Sequence, residues 1–544
     1  MRDFSKVYSS LRFLLIDLQK QLQTVYDGLI GQDTSLFAKS QERMDYIENA
    51  HLSLLNHSFH SSLRQGREQL PLQGFEHISY SLLNLSLQLN SLSQELQKLK
   101  SLKLLQKKRI TQALQTLNRG LSLIVPALES EDLALTLNLC QLQGQIDKLG
   151  REQLQRYSQE LKNCEQQAAL LQCSFIVRDI QSMGNTLLKV GEGLLSAKLG
   201  QFMQIDRYQS LEATLCDFNQ QLPSQDLRIH SMGETKSGCT LSSVQTGQEA
   251  EAQVLAIFKQ GRKDKLHDEK LGIERWHQAF PGIAPEVYSY QKQGDKAALL
   301  FEYLSGETFE SLLLDERERL QTAINRLFST LSEIWHTTVQ ARRIAANFMP
   351  QLQKRLSAVY AVHPEFNLKD KGLRIGTAQQ VSLEKLIQQA TMLESELQAP
   401  FAVYIHGDFN VDNILYNAEQ DSVNFVDLHR SEYQDYTQDL SVLMVSFYRL
   451  AYFEPKTRQR IRLVMEAIYD FGADYAESQR DHDYAKRMTL GLARSYISST
   501  RFVLDKEHAK SMLFKGRYLL EHLIHQSKDN STYRLPKELL RETF

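Results

Sequence analysis

Through residues 1–215 apolar side chains return at steps of three and four, the spacing that puts them on one face of an α-helix. Phe13, Leu14, Ile16, Leu18 and Leu22 open one such stripe, and Leu82, Leu83, Leu85, Leu87, Leu89 and Leu92 form another. Both are expected to face a bundle core. Breaks are expected near Gly31-Gln32-Asp33, from Gln65-Gly66 to Pro71, near Pro126 and around Gly150, which divides the region into about six helices. The region also echoes itself. Arg43-Met44-Asp45-Tyr46-Ile47 is matched by Gln145-Ile146-Asp147-Lys148-Leu149, and Phe75-Glu76-His77-Ile78-Ser79-Tyr80 by Ile180-Gln181-Ser182-Met183-Gly184-Asn185. Two tandem three-helix bundles follow.

From Asp226 the pattern changes to β-type runs, Val254-Leu255-Ala256-Ile257-Phe258 and Ala297-Ala298-Leu299-Leu300-Phe301, separated by a charged helical stretch at 266–278. After Gly306 helical periodicity resumes, broken by short strands that flank His406 and Asp427. The predicted fold is therefore multidomain: an all-α N-terminal domain at 1–215, then an α+β two-lobed, kinase-like domain with a sheet-rich lobe at 216–305 and a helical lobe at 306–544.

Composition narrows the picture. At 544 residues the chain is longer than one hydrophobic core usually serves. A net charge of -2 with 24% charged residues gives no electrostatic bias toward nucleic acid or anionic lipid. The local basic run of Lys103 and Lys107-Lys108-Arg109 has no interleaved aromatic residues, so a solvated helix face is expected and no nucleic-acid partner. Cys140, Cys164, Cys173, Cys216 and Cys239 form no C-x-x-C pair and leave one over, which argues against a disulfide framework or zinc cluster. Charges stand where a signal peptide needs an apolar run, and no stretch has the length of a membrane span. A reducing, cytoplasmic setting is expected.

The strongest chemical signal is Tyr404-Ile405-His406-Gly407-Asp408-Phe409-Asn410-Val411-Asp412-Asn413-Ile414-Leu415, followed by Val423-Asn424-Phe425-Val426-Asp427. Phosphoryl transfer needs a carboxylate at the acceptor hydroxyl, with an amide and a second carboxylate on the metal that bridges the phosphates. Asp408 is placed to be the catalytic base, and Asn413 and Asp427 to be ligands of Mg2+, a hard cation that takes oxygen.

This stretch resembles the aminoglycoside phosphotransferase and choline kinase family, whose catalytic loop reads His-Gly-Asp, four variable residues, then Asn. Asp435 and Asp439-Leu440 resemble downstream elements that buttress that loop, whereas Phe409-Asn410-Val411-Asp412 departs from the family's usual Leu-His-Pro-Gly. The resemblance implies ATP and Mg2+ as cofactors and a small-molecule hydroxyl as acceptor. It assigns Lys259, at the end of its strand, to the ATP phosphates and Glu269, on the following helix, to holding that lysine. Glu302-Tyr303-Leu304 takes the hinge position, where backbone groups at Glu302 and Leu304 would meet adenine. A phosphate-covering loop is expected at 231–240, with Gly233 and Gly238 as its glycines, although an ordinary turn explains them as well. Arg430, beyond the metal-binding Asp427, is read either as a phosphate or anion contact or as the partner of Glu432 or Asp435. Asp412, Glu432 and Asp435 are read either as favouring a cationic acceptor or as surface charge.

The tandem bundles and the segment 180–195 resemble the PhoU family of phosphate-signalling proteins. In that family a Glu and an Asp of the final helix help bind metal clusters. Gln181 and Asn185 occupy those positions here, and the first repeat has Glu76 and Tyr80. Amides do not offset a multivalent cation, so no metal is expected in this domain, which is read as a regulatory, docking or self-association module. The expected activity is ATP-dependent phosphorylation of a small-molecule hydroxyl. The alternatives are a non-catalytic nucleotide-binding regulator and a kinase of protein side chains.

Overall fold

The computed structural model describes residues 2–62, 69–99, 104–130, 133–161, 167–199, 203–218, 227–234, 239–246, 253–315, 317–367, 374–375, 378–379, 381–527 and 533–541. The chain splits into two compact units, one built on Met1–Cys216 and the other on Gln253–Phe544, with the first two strands divided between them.

The described residues up to Phe218 form helices: α1 (Arg2–Gly31), α2 (Ser35–Gln41), α3 (Met44–Ser62), α4 (Gln69–Lys98), α5 (Lys107–Glu129), α6 (Ala134–Glu160), α7 (Gln167–Leu199) and α8 (Ile205–Phe218). Helices α1, α3 and α4 repeat as α5, α6 and α7, with α2 and α8 as additions. A single apolar core runs through both halves, from Val7 and Leu11 to Val190 and Leu194. Periodicity selects its members: Leu82, Leu85, Leu89 and Leu92 are buried in α4, while Leu87 is exposed, as are Phe13 and Ile16 in α1. The halves meet along α4 and α7, which run antiparallel. Gln88 Nε2 donates to Ser182 Oγ (2.9 Å), and Ser91 Oγ to Asp179 Oδ2 (3.2 Å). A methyl group on Gly74 would lie 2.9 Å from Ala197 Cα, so glycine permits this approach of the two backbones.

Two expected breaks differ. Helix α5 continues three residues past Pro126, and α6 runs through Gly150 without interruption. Gly150 is a contact point for Gln181, whose Cγ would lie 2.3 Å from an added Cβ. Small size, not a turn, is what this glycine supplies.

After these helices come β1 (Leu227–Glu234), β2 (Thr240–Thr246), β3 (Gln253–Arg262), α9 (Lys263–Ala279), β4 (Val287–Gln293) and β5 (Lys296–Glu302). The strands form one sheet in the order β1-β2-β3-β5-β4. β3 and β5 are antiparallel, with Lys259 opposite Leu299 and Ala256 opposite Glu302. β6 (Glu307–Thr308), α10 (Phe309–Leu314), α11 (Arg317–Thr338), α12 (Phe348–Val362), β7 (Arg374–Ile375), β8 (Ala378–Gln379) and α13 (Leu383–Glu396) follow. Residues 403–434 supply β9 (Val403–Ile405), β10 (Ile414–Asn417), β11 (Ser422–Phe425) and β12 (Glu432–Gln434). The chain then continues through α14 (Thr437–Tyr448), α15 (Pro455–Ser478), α16 (Tyr484–Ser499), α17 (Lys506–Gln526) and α18 (Glu538–Arg541). Short antiparallel pairs β10-β11 and β9-β12 bracket the loops that carry Asp408 and Asp427. This is a mixed α+β, kinase-like unit following a helical one. Among the described residues no helix is long and apolar enough to cross a membrane.

Candidate active site

Helix α9 buries Leu266, Glu269, Gly272, Ile273 and Trp276, a stripe at helical spacing that includes one carboxylate. Glu269 meets Lys259, from β3, in an ion pair with Oε2 at 2.7 Å; both residues are only 4% exposed, so the pair is isolated from solvent. Lys259 Nζ also donates to Asp427 Oδ1 at 2.8 Å. Burial works against the lysine's charge, but the two carboxylates hold its pKa above the ordinary value, so it remains an ammonium. Burial alone would raise Asp427, yet His429 and Lys259 hold it well below the usual carboxylate range. Lys259, Glu269 and Asp427 thus form one group in which a single cation is shared by two carboxylates.

Two close approaches fix that group against the loop. Gly272 of α9 lies so near the chain after Asp427 that an added Cβ would be 2.1 Å from the Leu428 carbonyl oxygen. Trp276 Nε1 donates to Ser431 Oγ (2.8 Å), which in turn donates to the His406 carbonyl (3.2 Å). Asp427 itself has φ +63°, a left-handed conformation that costs a non-glycine residue energy and is retained where surroundings impose it.

The loop of Asp408 is held from beneath. Asp439, buried at the start of α14, accepts from the backbone N–H groups of His406 (2.7 Å) and Gly407 (2.9 Å). Burial pushes its carboxyl up to about 7 against the pull of those two donors. His406 is fully buried; its Nε2 lies 2.9 Å from the Val426 carbonyl, while its Nδ1 accepts from the Asp408 N–H at 3.3 Å. These partners select the Nε2–H tautomer, and burial lowers the ring's pKa, so His406 is a neutral strut. Gly407 has φ +82° and passes Arg430 so closely that a Cβ would sit 2.2 Å from its carbonyl oxygen, which no side chain could tolerate.

Asp408 itself is partly accessible. Its Oδ1 accepts from Asn410 Nδ2 (2.8 Å), and its Oδ2 pairs with Arg430 Nη1 (2.9 Å). Asn413 donates through Nδ2 to the Asp408 carbonyl (2.9 Å) and receives the Val426 N–H on its own carbonyl (3.0 Å). Asn413 therefore ties the Asp408 loop to the strand end that carries Asp427.

Of the residues expected from sequence, Lys259, Glu269, Asp408, Asn413 and Asp427 come together in this way. Glu302 and Leu304 lie at and just beyond the end of β5. The Glu302 N–H donates to the Glu286 carbonyl (2.8 Å) and its carboxylate accepts from the Glu286 N–H (3.1 Å). Gly233 is the last but one residue of β1, and Gly238 lies outside the described residues. Arg430 pairs with Asp408, not with Glu432 or Asp435. Asp435 is no surface charge: it is fully buried against Arg487 (2.7 Å), which also grips Asp481. Sequence reasoning missed Asn410 as a partner of Asp408 and Arg487 as the partner of Asp435; the Asx spacing of Asp408 and Asn410 is the only local signal for either.

Asp427 directs Oδ1 at Lys259 and His429 (3.4 Å). One depressed carboxylate beside an amide is the donor set that Mg2+ accepts when phosphates and water complete its shell, so the residues present fit such an ion.

In the helical unit, Gln181 donates to Asp147 Oδ1 (2.8 Å), Asn185 accepts from Gln143 (3.0 Å), Glu76 accepts from Ser58, and Tyr80 packs edge-on to His51. Among the described residues no group of three or more His, Cys, Asp or Glu side chains gathers as metal ligands.

A strand lysine paired to a helix glutamate, above a loop bearing Asp, Asn and a second Asp, defines a kinase-like phosphotransferase fold. Residues 242–477 match the family model described as the phosphotransferase enzyme family. No curated protein matches the chain. Among solved structures, a choline kinase from Cryptosporidium parvum is 13% identical, covering 59% of this chain and 97% of its own, with a TM-score of 0.36. An aminoglycoside phosphotransferase from Streptomyces rimosus is 16% identical over 57% of this chain and 98% of its own, at 0.32. PhoU from Pseudomonas aeruginosa is 14% identical over 37% of this chain and 99% of its own, at 0.35.

Proposed function

We propose that the second unit transfers a phosphoryl group from ATP to a hydroxyl of a small molecule, with residues 216–305 and 306–544 as its two lobes and 1–215 as a regulatory or docking domain. The observation that carries this reading is the Lys259, Glu269 and Asp427 group lying beside the Asp408 to Asn413 loop, within a segment that matches a phosphotransferase family. Bound ATP supplies the transferred group, and Mg2+ neutralises charge between its phosphates. Lys259, kept charged by its two carboxylates, orients the α- and β-phosphates. Asp427 and Asn413 hold the metal. Asp408 receives the acceptor hydroxyl and takes its proton, and Asn410 keeps one carboxylate oxygen occupied so that the other faces the acceptor. Arg430 covers that second oxygen and has to give it up when the acceptor binds. The helical domain carries amides where the PhoU resemblance implies metal ligands, which supports docking over metal storage as its contribution to phosphate-linked signalling.

A non-catalytic, nucleotide-binding role is favoured by one observation, the Arg430 ion pair that covers Asp408. Phosphorus NMR of the full chain with ATP and Mg2+ against sugars, amino alcohols, hydroxy acids and sugar phosphates separates the two. A new phosphomonoester signal that disappears in Asp427→Ala is the expected result. ATP binding without any phosphomonoester on the whole panel would replace the enzyme reading with the regulator.

A further inference from the structure

The side of the catalytic loop that faces the helical lobe is crowded with arginines from separate elements. Arg355 lies on α12, Arg494 on α16, Arg501 in the 3-10 turn Thr500–Phe502, and Arg449 at the end of α14. Their charges act on one another and on the base. Arg355 feels Arg430 and Asp408; Arg494 feels Arg355 and Asp408; Arg501 feels Arg355, Arg430, Arg449 and Asp408; Arg449 feels Asp408 and Asp412. Among the described residues none of these four forms an ion pair, in contrast to Arg487, which takes two buried carboxylates.

Arg494 is the most telling. It is 5% exposed, and its Nε and Nη2 are buried without any hydrogen-bond partner. The nearby carboxylates do not answer it. Glu394 is engaged by the backbone N–H groups of Phe348 and Met349, and Asp439 by those of His406 and Gly407. Burial pulls the guanidinium down to about 9, the direction expected of a cation that lacks an anion. An unpaired buried charge costs several kcal/mol in general, so a fold retains one where a ligand completes it. Aromatic rings present the guanidinium groups: Arg494 lies over Phe348 at 5.2 Å, and Arg501 and Arg449 over Phe502 at 4.4 and 5.7 Å. Stacking on a ring face leaves the in-plane N–H donors free for a fork-like contact with an oxyanion.

We infer that the phosphoryl acceptor is an anion: a hydroxyl compound bearing a phosphate or carboxylate, gripped by Arg355, Arg494 and Arg501 while its hydroxyl meets Asp408. This rests on the assignment of Asp408 as the acceptor-side base made above. Of the acidic residues read as favouring a cationic acceptor, Asp435 does not oppose it, because Arg487 consumes it, and the base Asp408 already carries Arg430. Arg430 can exchange Asp408 for the incoming anion, which frees the base as the acceptor arrives.

Calorimetry on the full chain saturated with Mg2+ and AMP-PNP, so that the nucleotide phosphate site is filled, tests this with inorganic phosphate, glycerate and choline as probes. Phosphate and glycerate distinguish the two sources of negative charge. At least one should bind, choline should not, and Arg355→Gln and Arg501→Gln should each weaken the anion about tenfold or more while AMP-PNP affinity holds. Failure of both anions to bind, anion binding that neither variant alters, or binding of choline instead would overturn the inference. The two readings fail separately. Anion binding at these arginines without phosphoryl transfer to any hydroxyl removes the enzyme and leaves the anion site, whereas transfer to choline alone removes the anionic acceptor and leaves the enzyme.

Discussion

The two units bury polarity in different ways. Among the described residues of the helical unit, the buried polar side chains are Ser, Thr and Gln with His51, and none is Asp, Glu, Lys or Arg. In the kinase-like unit Lys259, Glu269, Glu394, Asp435, Asp439, Asp481, Arg487, Arg494 and Lys515 are all buried. Charges are costly to remove from water, so a core built for stability alone avoids them, and their concentration in one unit marks where chemistry has been arranged. The helical unit uses neutral networks such as Gln21 with Ser86 and Ser40 to set helix register, which suits a scaffold or docking role.

That contrast can be broken by mutation. The largest stability effect is expected at Arg487→Met, which leaves Asp435 and Asp481 buried without their cation: about 3–5 kcal/mol, seen as a lowered denaturant midpoint with the helical unit's own transition unmoved. Equal unfolding of both units would show that they are one cooperative body. A smaller loss, roughly 1–2 kcal/mol, is expected from Ser86→Ala, which strips Gln21 Oε1 of its 2.7 Å donor inside the helical core. If this loss matched that of Arg487→Met, the neutral and charged networks would not differ as argued.

A pH dependence is also expected in the kinase-like unit. Burial and the nearby Arg458 push His508 down to about 4, so its neutral form is the one the fold favours. A depressed folded value means that its contribution is complete above the ordinary histidine value of about 6.5 and is lost as pH falls from there toward 4. The melting temperature should therefore decline across that window, and His508→Leu should flatten part of the decline. A slope unchanged in the variant would assign the acid sensitivity elsewhere.

How much of this was legible in the sequence follows from how far apart the cooperating residues lie. Asp408, Asn413 and Asp427 stand within twenty residues, and one loop and one hairpin bring them together, so their spacing carries the geometry. Lys259 and Glu269 could be expected from the kinase resemblance, which asks for a strand lysine and a glutamate on the next helix; here they meet in an ion pair at 2.7 Å, although β3 runs on past Lys259 to Arg262. The arginine group could not. Arg355, Arg449, Arg494 and Arg501 come from four elements whose convergence depends on helix packing, and no local pattern records it. The Arg430 partner was open for a similar reason: Glu432 and Asp435 are nearer in sequence, but β12 and Arg487 draw them elsewhere. Gly150 shows the opposite error. Glycine reads as punctuation, yet within a bundle it also serves where a neighbouring side chain, here Gln181, needs room.

The most direct test is the initial rate of phosphoryl transfer from ATP by wild type and by Asp408→Asn, each with its affinity for Mg2+ and AMP-PNP measured on the same preparation. The account predicts a loss of about 100-fold or more in rate with nucleotide affinity unchanged, since Asp408 acts on the acceptor and not on ATP. A variant that binds nucleotide equally and transfers as fast as wild type would contradict it.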